Sequence, residues 1–381
     1  MPKKQIIIFF SVFLTLFGLI NYYIFIRGYQ GLEYVSEFRP IYITVFLLVS
    51  LSYLIGRFLE RKYLSVISDI FIWIGSFWFA FILYFLIAIV LLDLTRLADH
   101  FFAFLPINPT PGYGKIKLAA FLVVGIATFL AVLAGYINAW YIRIKPLDLT
   151  IEKKNDVVSE LTIVVASDIH LGTIINRKWT KMIVEKINSL NADLVLLPGD
   201  IVDGDVEPAI KQNLGEVLRT IKSKYGVFGI TGNHEYIGGV GPAVKYISEH
   251  GIRELRDERI DVAGLTIIGR EDRSAGKNRM SISELAEGID PAKPLIVMDH
   301  QPFKLDEAVS IGADLQLSGH THHGQLWPLN FITKKVYELS WGYKKKGNTH
   351  IYVSCGAGTW GPPVRLGNTP EIMQIRLKFL S

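Results

Sequence analysis

The pattern of hydrophobic positions changes near residue 142, where long apolar segments give way to short ones. Four long segments precede this point: roughly Gln5–Ile26, Ile41–Ile55, Ile67–Leu92 and Leu118–Tyr136. A helix needs about 20 apolar residues to cross a bilayer, and only the second segment is clearly shorter than that. Asn21-Tyr22-Tyr23 offers no signal-peptide cleavage site after the first segment. We therefore expect residues 1–141 to form a helical membrane domain of about four spans.

From about Ile151 onward, short hydrophobic runs typical of β-strands alternate with polar runs typical of helices. The strand-like runs are Leu161–Ala166, Asp193–Leu197, Val227–Ile230, Leu295–Met298 and Asp314–Leu317, followed by Ile351–Ser354 and Ile372–Leu377. The helix-like runs are Arg177–Leu190, Glu207–Ser223, Gly241–His250 and Ser281–Glu287. Alternation followed by extra strands predicts an α/β sandwich with mixed sheets covered by helices. We expect this domain to cover residues 157–381, after a connector at residues 142–156.

Composition agrees with this division. Hydrophobic residues make up 50% of the 381 residues, too many for an ordinary soluble enzyme, and the excess lies in the first part of the chain. The formal net charge is +5. Basic residues beside membrane spans meet anionic lipid, and the chain lacks the mixture of aromatic and basic residues that would predict a nucleic-acid partner. The single cysteine, Cys355, excludes an intrachain disulfide and a cysteine-based zinc motif. Nothing in the sequence indicates an oligomeric state.

Lysine and arginine near the span ends predict the orientation, because they favour the cytoplasmic side. With the N-terminus inside, nine of them lie on the inner side and five on the outer side. The inner residues are Lys3, Lys4, Arg57, Arg61, Lys62, Arg143, Lys145, Lys153 and Lys154, and the outer residues are Arg27, Arg39, Arg96, Lys115 and Lys117. The bias favours an integral multi-pass protein whose later domain is cytoplasmic. Loss of the short second span would reverse this orientation.

Five short polar signatures in the later domain each follow a predicted strand. In chain order they are Asp168-Ile169-His170, Gly199-Asp200, Gly232-Asn233-His234-Glu235, His300 and Gly319-His320-Thr321-His322. Open α/β sheets place their sites at the carboxyl ends of strands. The signatures are therefore expected to share one site.

The residue types in these signatures favour a metal site. Carboxylate and imidazole ligands such as Asp168 and His170 suit Mn, Fe or Zn, and Asn233 adds a carbonyl oxygen. Seven candidate ligands are too many for one ion: Asp168, His170, Asp200, Asn233, His300, His320 and His322. They suit two divalent metal ions about 3.5–4 Å apart that share Asp200, an arrangement that serves phosphoryl transfer.

In their order and spacing, the signatures resemble the calcineurin-like metallophosphoesterase superfamily, whose pattern is D-x-H, G-D-x-x-D, G-N-H-[DE], H and G-H-x-H. The resemblance covers about residues 160–378. It extends to the membrane-associated bacterial branch and its multi-span animal relatives, on the segments His300 to Pro302, Gly319 to Gln325, Ser354 to Thr359 and Pro370 to Ile372. The resemblance implies two mixed sheets flanked by helices and a metal-dependent phosphoesterase activity.

The resemblance also implies a role for each matching residue. One ion would take Asp168, His170, Asp200 and His322, and the other would take Asp200, Asn233, His300 and His320. His234 would stabilise or protonate the leaving oxygen, and Asp203 would orient its ring. His323 has no ligand position in the pattern, so it lies behind the ligands or at the surface, or contacts the substrate. Arg365 would bind a phosphate or cap a sheet edge, and both alternatives stay open.

One departure from the pattern narrows the substrate class. Protein phosphatases of the superfamily read G-D-x-x-D-R-G, whereas Gly204-Asp205 follows Asp203 here, which disfavours a phosphoprotein. The predicted membrane anchor favours a lipid-linked phosphodiester, pyrophosphate or phosphomonoester. Relatives of this branch make UDP-2,3-diacylglucosamine pyrophosphate, of lipid A biosynthesis, a candidate. The alternative is a membrane sensor or scaffold that binds metal without turnover, and it is disfavoured because no ligand is missing.

Overall fold

The structure, a computed structural model, describes residues 3–103 and 112–380. Contacts divide the chain into two compact units, Met1–Gly135 and Tyr136–Ser381. The side chains of Lys3 and Lys4, which enter the predicted charge bias, lie outside the described part of the chain.

Four long helices form the N-terminal region: α1 (Lys3–Gly31), α2 (Arg39–Lys62), α3 (Val66–Phe102) and α4 (Tyr113–Ala139). A short 3-10 helix, Glu33–Phe38, joins α1 to α2. All four long helices are long and apolar enough to cross a membrane. The expected N-terminal region of four apolar helices is therefore confirmed.

Two of these helices extend beyond the apolar pattern that predicted them. The predicted second span ends at Ile55, but α2 continues to Lys62 through Gly56. Gly56 allows close packing of α2 against α3, since a Cβ atom there would lie 2.7 Å from the backbone nitrogen of Ile72. The predicted third span ends at Leu92, but α3 continues to Phe102 and has His100 in its last turn. Polar residues at helix ends stay helical because the backbone hydrogen bonds do not depend on hydrophobicity.

The described part of the second unit contains twelve strands in two mixed sheets. They are β1 (Arg143–Lys154), β2 (Glu160–Val165), β3 (Leu194–Pro198), β4 (Val227–Ile230), β5 (Arg253–Glu254), β6 (Glu258–Val262), β7 (Leu265–Gly269), β8 (Leu295–Met298), β9 (Leu315–Ser318), β10 (Gly342–Lys346), β11 (Thr349–Val353) and β12 (Glu371–Leu380). The first sheet has the order β1-β12-β2-β3-β4-β5, and the second has the order β10-β11-β9-β8-β7-β6. Strands β2 to β5 are parallel, as are β7, β8, β9 and β11, whereas β12 is antiparallel to β2.

The two sheets enclose the main hydrophobic core. Buried side chains from both sheets meet in one cluster, among them Leu161 and Leu194 of the first sheet and Ile267 and Ile296 of the second. Alternation along each strand explains this, because every second side chain points to the same face. The predicted α/β sandwich of two mixed sheets is therefore confirmed.

Eight shorter helices accompany the sheets in the described residues. They are α5 (Arg177–Asn188), α6 (Glu207–Lys211), α7 (Leu214–Leu218), α8 (Asn233–Gly238), α9 (Val240–Glu249), α10 (Ile282–Ala286), α11 (Asp306–Ser310) and α12 (Asn330–Val336). The single helix predicted over Glu207–Ser223 is divided, because Asn213 has φ +53° between α6 and α7. Residues of α10 and α11 pack on the outer face of the second sheet, where Ile282 and Ala308 join Val297 in a smaller core.

Four strand regions were missed by the hydrophobic pattern. Strand β1 lies in the stretch expected as a connector and pairs in parallel with β12 at the edge of the first sheet. The short strand β5 and the hairpin of β6 and β7 were not predicted. Lys344-Lys345-Lys346, outside every predicted strand, belongs to edge strand β10. Strands β1, β5, β6 and β10 are the outermost strands of their sheets, where one row of backbone groups is exposed and polar residues hide the hydrophobic pattern.

Candidate metal centre

The seven predicted ligands lie directly after parallel strands of the two sheets. They follow β2 (Asp168, His170), β3 (Asp200), β4 (Asn233), β8 (His300) and β9 (His320, His322). The carboxyl ends of parallel strands meet at one edge of a sheet. Because the two sheets face each other, the structure brings all seven side chains together.

One cluster contains Asp168, His170 and His322, whose potential ligand atoms lie within 4.8 Å of one another. The Nε2 atoms of His170 and His322 are 3.0 Å apart. His322 Nε2 lies 3.5 Å from Asp168 Oδ1. All three side chains are buried. Imidazole nitrogens and carboxylate oxygens therefore lie close together in a buried site, as they do around a divalent ion.

A second cluster contains Asp200, His300 and His320, and Asn233 joins it. His300 Nε2 lies 3.1 Å from Asp200 Oδ2 and 3.3 Å from Asn233 Oδ1. His320 Nδ1 lies 2.7 Å from the same oxygen of Asn233. On its other side, His300 Nδ1 donates to the carbonyl oxygen of Pro198 at 2.8 Å. A bond of this kind orients the ring and turns Nε2 toward the cluster.

Asp200 connects the two clusters. Its Oδ2 atom lies 3.1 Å from His300 Nε2 in the second cluster and 3.9 Å from His170 Nε2 in the first. Its Oδ1 atom accepts the backbone N–H of His234 at 2.8 Å. The carboxylate is thus held between the two groups of potential ligands.

Glu235, for which the sequence predicted no role, holds the loop that carries Asp200. Its buried carboxylate accepts the backbone N–H groups of Asp200, Val202 and Gly232 at 3.2, 2.8 and 2.7 Å. These bonds compensate the burial of the carboxylate. In the sequence Glu235 is only the last residue of a signature, because two of its three partners lie more than 30 residues earlier along the chain.

Several ligand residues adopt a left-handed backbone conformation that is uncommon for residues with side chains. The φ angles are 51° at Asp168, 57° at His170, 52° at Asp200, 71° at His320 and 44° at His322. Such conformations cost about 1–3 kcal/mol each and cluster at functional sites. Here they curl the chain after each strand, so that neighbouring side chains turn toward one centre.

Two glycines allow the ligand loops to approach one another. A Cβ atom at Gly319 would collide with Asp168 Oδ2. Gly199 has φ +85°, and a Cβ atom there would lie 2.5 Å from His300 Nδ1. Space therefore requires glycine at both positions, and at Gly199 the backbone angle requires it as well.

Asp203 and His234 form a pair beside the first cluster. Asp203 Oδ1 lies 2.9 Å from His234 Nδ1 and 3.4 Å from His170 Nδ1. These three side chains form a third group close enough to hold an ion. Burial would raise the pKa of Asp203, but its bonds to the two imidazoles outweigh this and lower the pKa. Burial by itself would lower the pKa of His234. The bond to Asp203 and the charges of nearby carboxylates outweigh burial and raise this pKa to about 9.

Burial and mutual charge set the protonation of the other histidines. Burial and the charge of His300 lower the pKa of His320 to about 4, and burial also lowers the pKa of His322. Both rings are therefore neutral near pH 7, the form that binds a metal ion. Burial would also lower the pKa of His300, but the adjacent Asp200 carboxylate raises it. A metal ion must therefore displace a proton from His300.

The donor set fits divalent metal ions. Asp168 Oδ2 is buried and has no hydrogen-bond partner among the described residues. A carboxylate oxygen in this position costs free energy unless a cation compensates it. The donors are carboxylate, imidazole and amide groups without a thiolate, which suits Mn, Fe or Zn.

Arg365, predicted to bind a phosphate or cap a sheet edge, is fully buried. Its Nη2 donates to the carbonyl oxygens of Cys355 and Gly358 at 2.8 and 2.6 Å, and its Nη1 donates to Asn368 Oδ1 at 3.0 Å. Nη2 also lies 3.2 Å from His322 Nδ1. A phosphate contact does not fit this position, because the donors already bind groups of the chain itself.

His323 is also buried, although one prediction placed it at the surface. Its Nδ1 lies 3.1 Å from Ser340 Oγ, and its ring centre lies 5.1 Å from that of Trp341. It belongs to none of the three groups of potential ligands found in the described residues. The side chain of His323 therefore packs against Ser340 and Trp341 and joins no ligand group.

Two aromatic residues near the site were not predicted. Trp360 is 55% exposed, and its ring centre lies 6.2 Å from that of His234. The ring centre of Tyr337 lies 6.0 Å from that of His320. The sequence carried no signal for them, since they belong to no motif and their nearness depends on the fold. An exposed aromatic ring at a site suits an apolar or planar part of a substrate.

Comparison with known proteins agrees with this geometry. Residues 161–324 match the family model for calcineurin-like phosphoesterases. The chain is 34% identical over 272 residues to an uncharacterized metallophosphoesterase of Helicobacter pylori, which covers 68% of this chain and 71% of that protein. It is 27% identical over 384 residues to one of Campylobacter jejuni, covering 98% of both chains. It is 29% identical over 284 residues to a transmembrane protein with metallophosphoesterase domain of Bos taurus, covering 69% of this chain and 63% of that protein.

Proposed function

We propose a dinuclear mechanism and a lipid-linked substrate for this chain, which belongs to the calcineurin-like phosphoesterase family and is a metal-dependent phosphoesterase. The observation that carries the dinuclear mechanism is the position of Asp200, whose Oδ2 atom lies between the two clusters. A carboxylate shared by two ions is the usual centre of a two-metal site for phosphoryl transfer.

The contacts support one assignment of ligands. Asp168, His170 and His322 would hold one ion together with Asp200. Asn233, His300 and His320 would hold the other, again with Asp200. The distances within each cluster support this division, and all of these side chains are buried except the half-buried Asn233 and His320. Ions held there would supply Lewis-acid charge and would lower the pKa of a bound water molecule to about 7.

In this proposal His234 moves a proton. Asp203 accepts the Nδ1–H of His234 at 2.9 Å, which leaves Nε2 as the ring nitrogen for a substrate. A pKa near 9 keeps His234 protonated at neutral pH, so Nε2–H can donate to the leaving oxygen. Ions held by Asp200 would oppose part of this rise, because they offset the carboxylate charge that contributes to it.

A lipid-linked phosphate ester or pyrophosphate is the substrate class that the whole chain supports best. Four apolar helices associate the protein with a membrane, and exposed Trp360 lies beside His234. The absence of arginine after Asp203 disfavours phosphoproteins. UDP-2,3-diacylglucosamine pyrophosphate is our specific candidate, and the excess of basic residues on the inner side supports a cytoplasmic site for it.

The test is hydrolysis by the detergent-purified full chain. Bis-p-nitrophenyl phosphate and p-nitrophenyl phosphate are compared after metal removal and after addition of Mn²⁺, Zn²⁺ or Mg²⁺. We expect about two bound ions per chain and diester hydrolysis that returns with the metal. Asp200→Asn should lower this rate by about 100-fold or more, because both clusters lose a shared charge.

The matched control is Asp148→Asn, since Asp148 is 66% exposed and pairs with Arg376 at the surface. It makes the same chemical change and should keep full activity. Full activity in a folded Asp200→Asn protein would contradict the dinuclear mechanism. Two bound ions without turnover of either ester would favour the sensor or scaffold function instead. Release of UMP from UDP-2,3-diacylglucosamine would identify the substrate, and diester turnover without UMP release would exclude it.

A further inference from the structure

A cavity of about 460 Å³ lies among the four long helices, within the first unit. Its walls are mainly apolar and include Ile24, Phe46, Trp78, Phe85 and Val124. The volume is that of a small-molecule site, about 300–1,000 Å³. The metal centre uses none of these residues.

The wall that α1, α2 and α3 provide is well packed. The rings of Phe46 and Trp78 meet edge to face at 5.3 Å. Trp78 donates its Nε1–H to Asn21 Oδ1 at 2.9 Å, which fixes the indole. Across the cavity, Phe121 of α4 lies 6.3 Å from Tyr42 of α2, measured between ring centres. Aromatic side chains held by their neighbours therefore form a large part of the cavity wall.

Basic side chains gather at one end of this apolar cavity. Arg27, Arg96 and Lys117 all line it. Arg27 and Arg96 share the carboxylate of Asp93 at 2.5 and 3.4 Å, and Lys117 pairs with Glu33 at 2.5 Å. Three cations face two carboxylates, which leaves one positive charge in excess.

Arg27 also carries an unused donor. Its Nε atom is buried and lacks a hydrogen-bond partner among the described residues. A buried donor without a partner is unfavourable, so an acceptor oxygen at this end would stabilise the structure. Arg27, Arg96 and Lys117 are also three of the five basic residues assigned to the outer side, where lysine and arginine are disfavoured. An anionic ligand would balance the positive charge that Asp93 and Glu33 leave in excess.

We propose that this cavity binds one anionic phospholipid, with an acyl chain along Phe46 and Trp78 and the phosphate on Arg27, Arg96 and Lys117. Guanidinium groups match phosphate oxygens in pairs, and a phosphate is the anionic group that every phospholipid head carries. The apolar walls favour a lipid over a soluble phosphate, because a soluble anion would leave them unfilled. This site is separate from the catalytic proposal and does not depend on it.

The experiment is native mass spectrometry of the full chain in mild detergent, titrated with phosphatidylglycerol, phosphatidylcholine or inorganic phosphate. We expect about one phosphatidylglycerol to bind tightly and phosphatidylcholine to bind more weakly. The double variant Arg96→Gln/Lys117→Gln should bind phosphatidylglycerol about 30-fold more weakly, since it loses two cations. Arg61→Gln/Lys62→Gln, the same charge change at the C-terminal end of α2, should bind as the native chain does.

A second variant tests the cavity itself. Val124→Trp fills the cavity and keeps the cations, so it should also lose the lipid. If either variant fails to fold, the other still decides the proposal. Equal binding of both phospholipids, native affinity in Arg96→Gln/Lys117→Gln, or displacement of the lipid by inorganic phosphate would each overturn it.

Discussion

Replacement of Arg365 by lysine distinguishes a structural role from a role in binding phosphate. The guanidinium is fully buried and donates to the carbonyl oxygens of Cys355 and Gly358 and to the side chain of Asn368. Lysine keeps the charge but loses the planar fork that reaches these acceptors together. We therefore expect Arg365→Lys to disturb the loop from Cys355 to Gly358.

The expected size of the effect follows from the bonds that are lost. A buried polar group that loses its partner costs about 1–3 kcal/mol, so two stranded acceptors cost about 2–6 kcal/mol. In a domain of about 150–250 residues, each kcal/mol lowers Tm by about 2–4 °C, so the predicted fall in Tm is about 4–24 °C. Gly356 in this loop lies against Asp168, since a Cβ atom there would be 2.8 Å from Asp168 Cβ. Metal affinity should fall by about tenfold as a result.

The assay combines thermal unfolding of the metal-loaded chain with a metal titration and with steady-state kinetics at saturating metal. The structural role predicts a lower Tm and weaker metal binding, with KM close to that of the native chain. An unchanged Tm with a KM raised tenfold would refute this reasoning and restore the phosphate contact. Arg376→Lys is the control, because Arg376 is 47% exposed and its exposed ion pair with Asp148 contributes little.

Three further predictions concern stability and binding. Both carboxylate oxygens of Glu254 are buried without partners in the described chain, and burial with two nearby carboxylates raises its pKa well above 4.5. The folded chain therefore holds the Glu254 proton more tightly than the unfolded chain does. As the pH rises above 4.5, the free energy of unfolding falls by up to about 1.4 kcal/mol per pH unit until the pH passes the pKa of the folded state. Glu254→Gln should reduce the loss of Tm between pH 5 and 8, and an unchanged pH slope would contradict this. Trp360→Ala should raise KM for an apolar ester about tenfold without changing metal content. Trp327→Ala, at a similarly exposed tryptophan, should leave KM unchanged. Equal KM values in the two variants would exclude a substrate contact of Trp360. Chelation should lower Tm, because ions present at 100 times their Kd add about 2.7 kcal/mol per site to the free energy of unfolding. A Tm that does not respond to chelation would argue against bound ions.

Local patterns in the sequence predicted much of the fold. Apolar length predicted the four N-terminal helices, and short hydrophobic runs predicted central strands such as β2, β4 and β8. These elements are buried on both faces or surrounded by lipid, so their hydrophobicity is continuous and easy to recognise. The edge strands β1 and β10 were missed because their exposed faces are polar. The division between α6 and α7 was missed because it depends on the left-handed conformation of Asn213.

Residue types and their order along the chain also determined the set of candidate ligands, because metal chemistry restricts the side chains that can serve. Only the tertiary structure decided which of their atoms meet. It joined residues 152 positions apart in His170 and His322, and it placed Asp200 between the two clusters. It also turned Arg365 inward to bind backbone carbonyl oxygens and brought Trp360 beside His234. These relations depend on which strands pair and which loops meet, and such long-range contacts leave no periodic trace in the sequence.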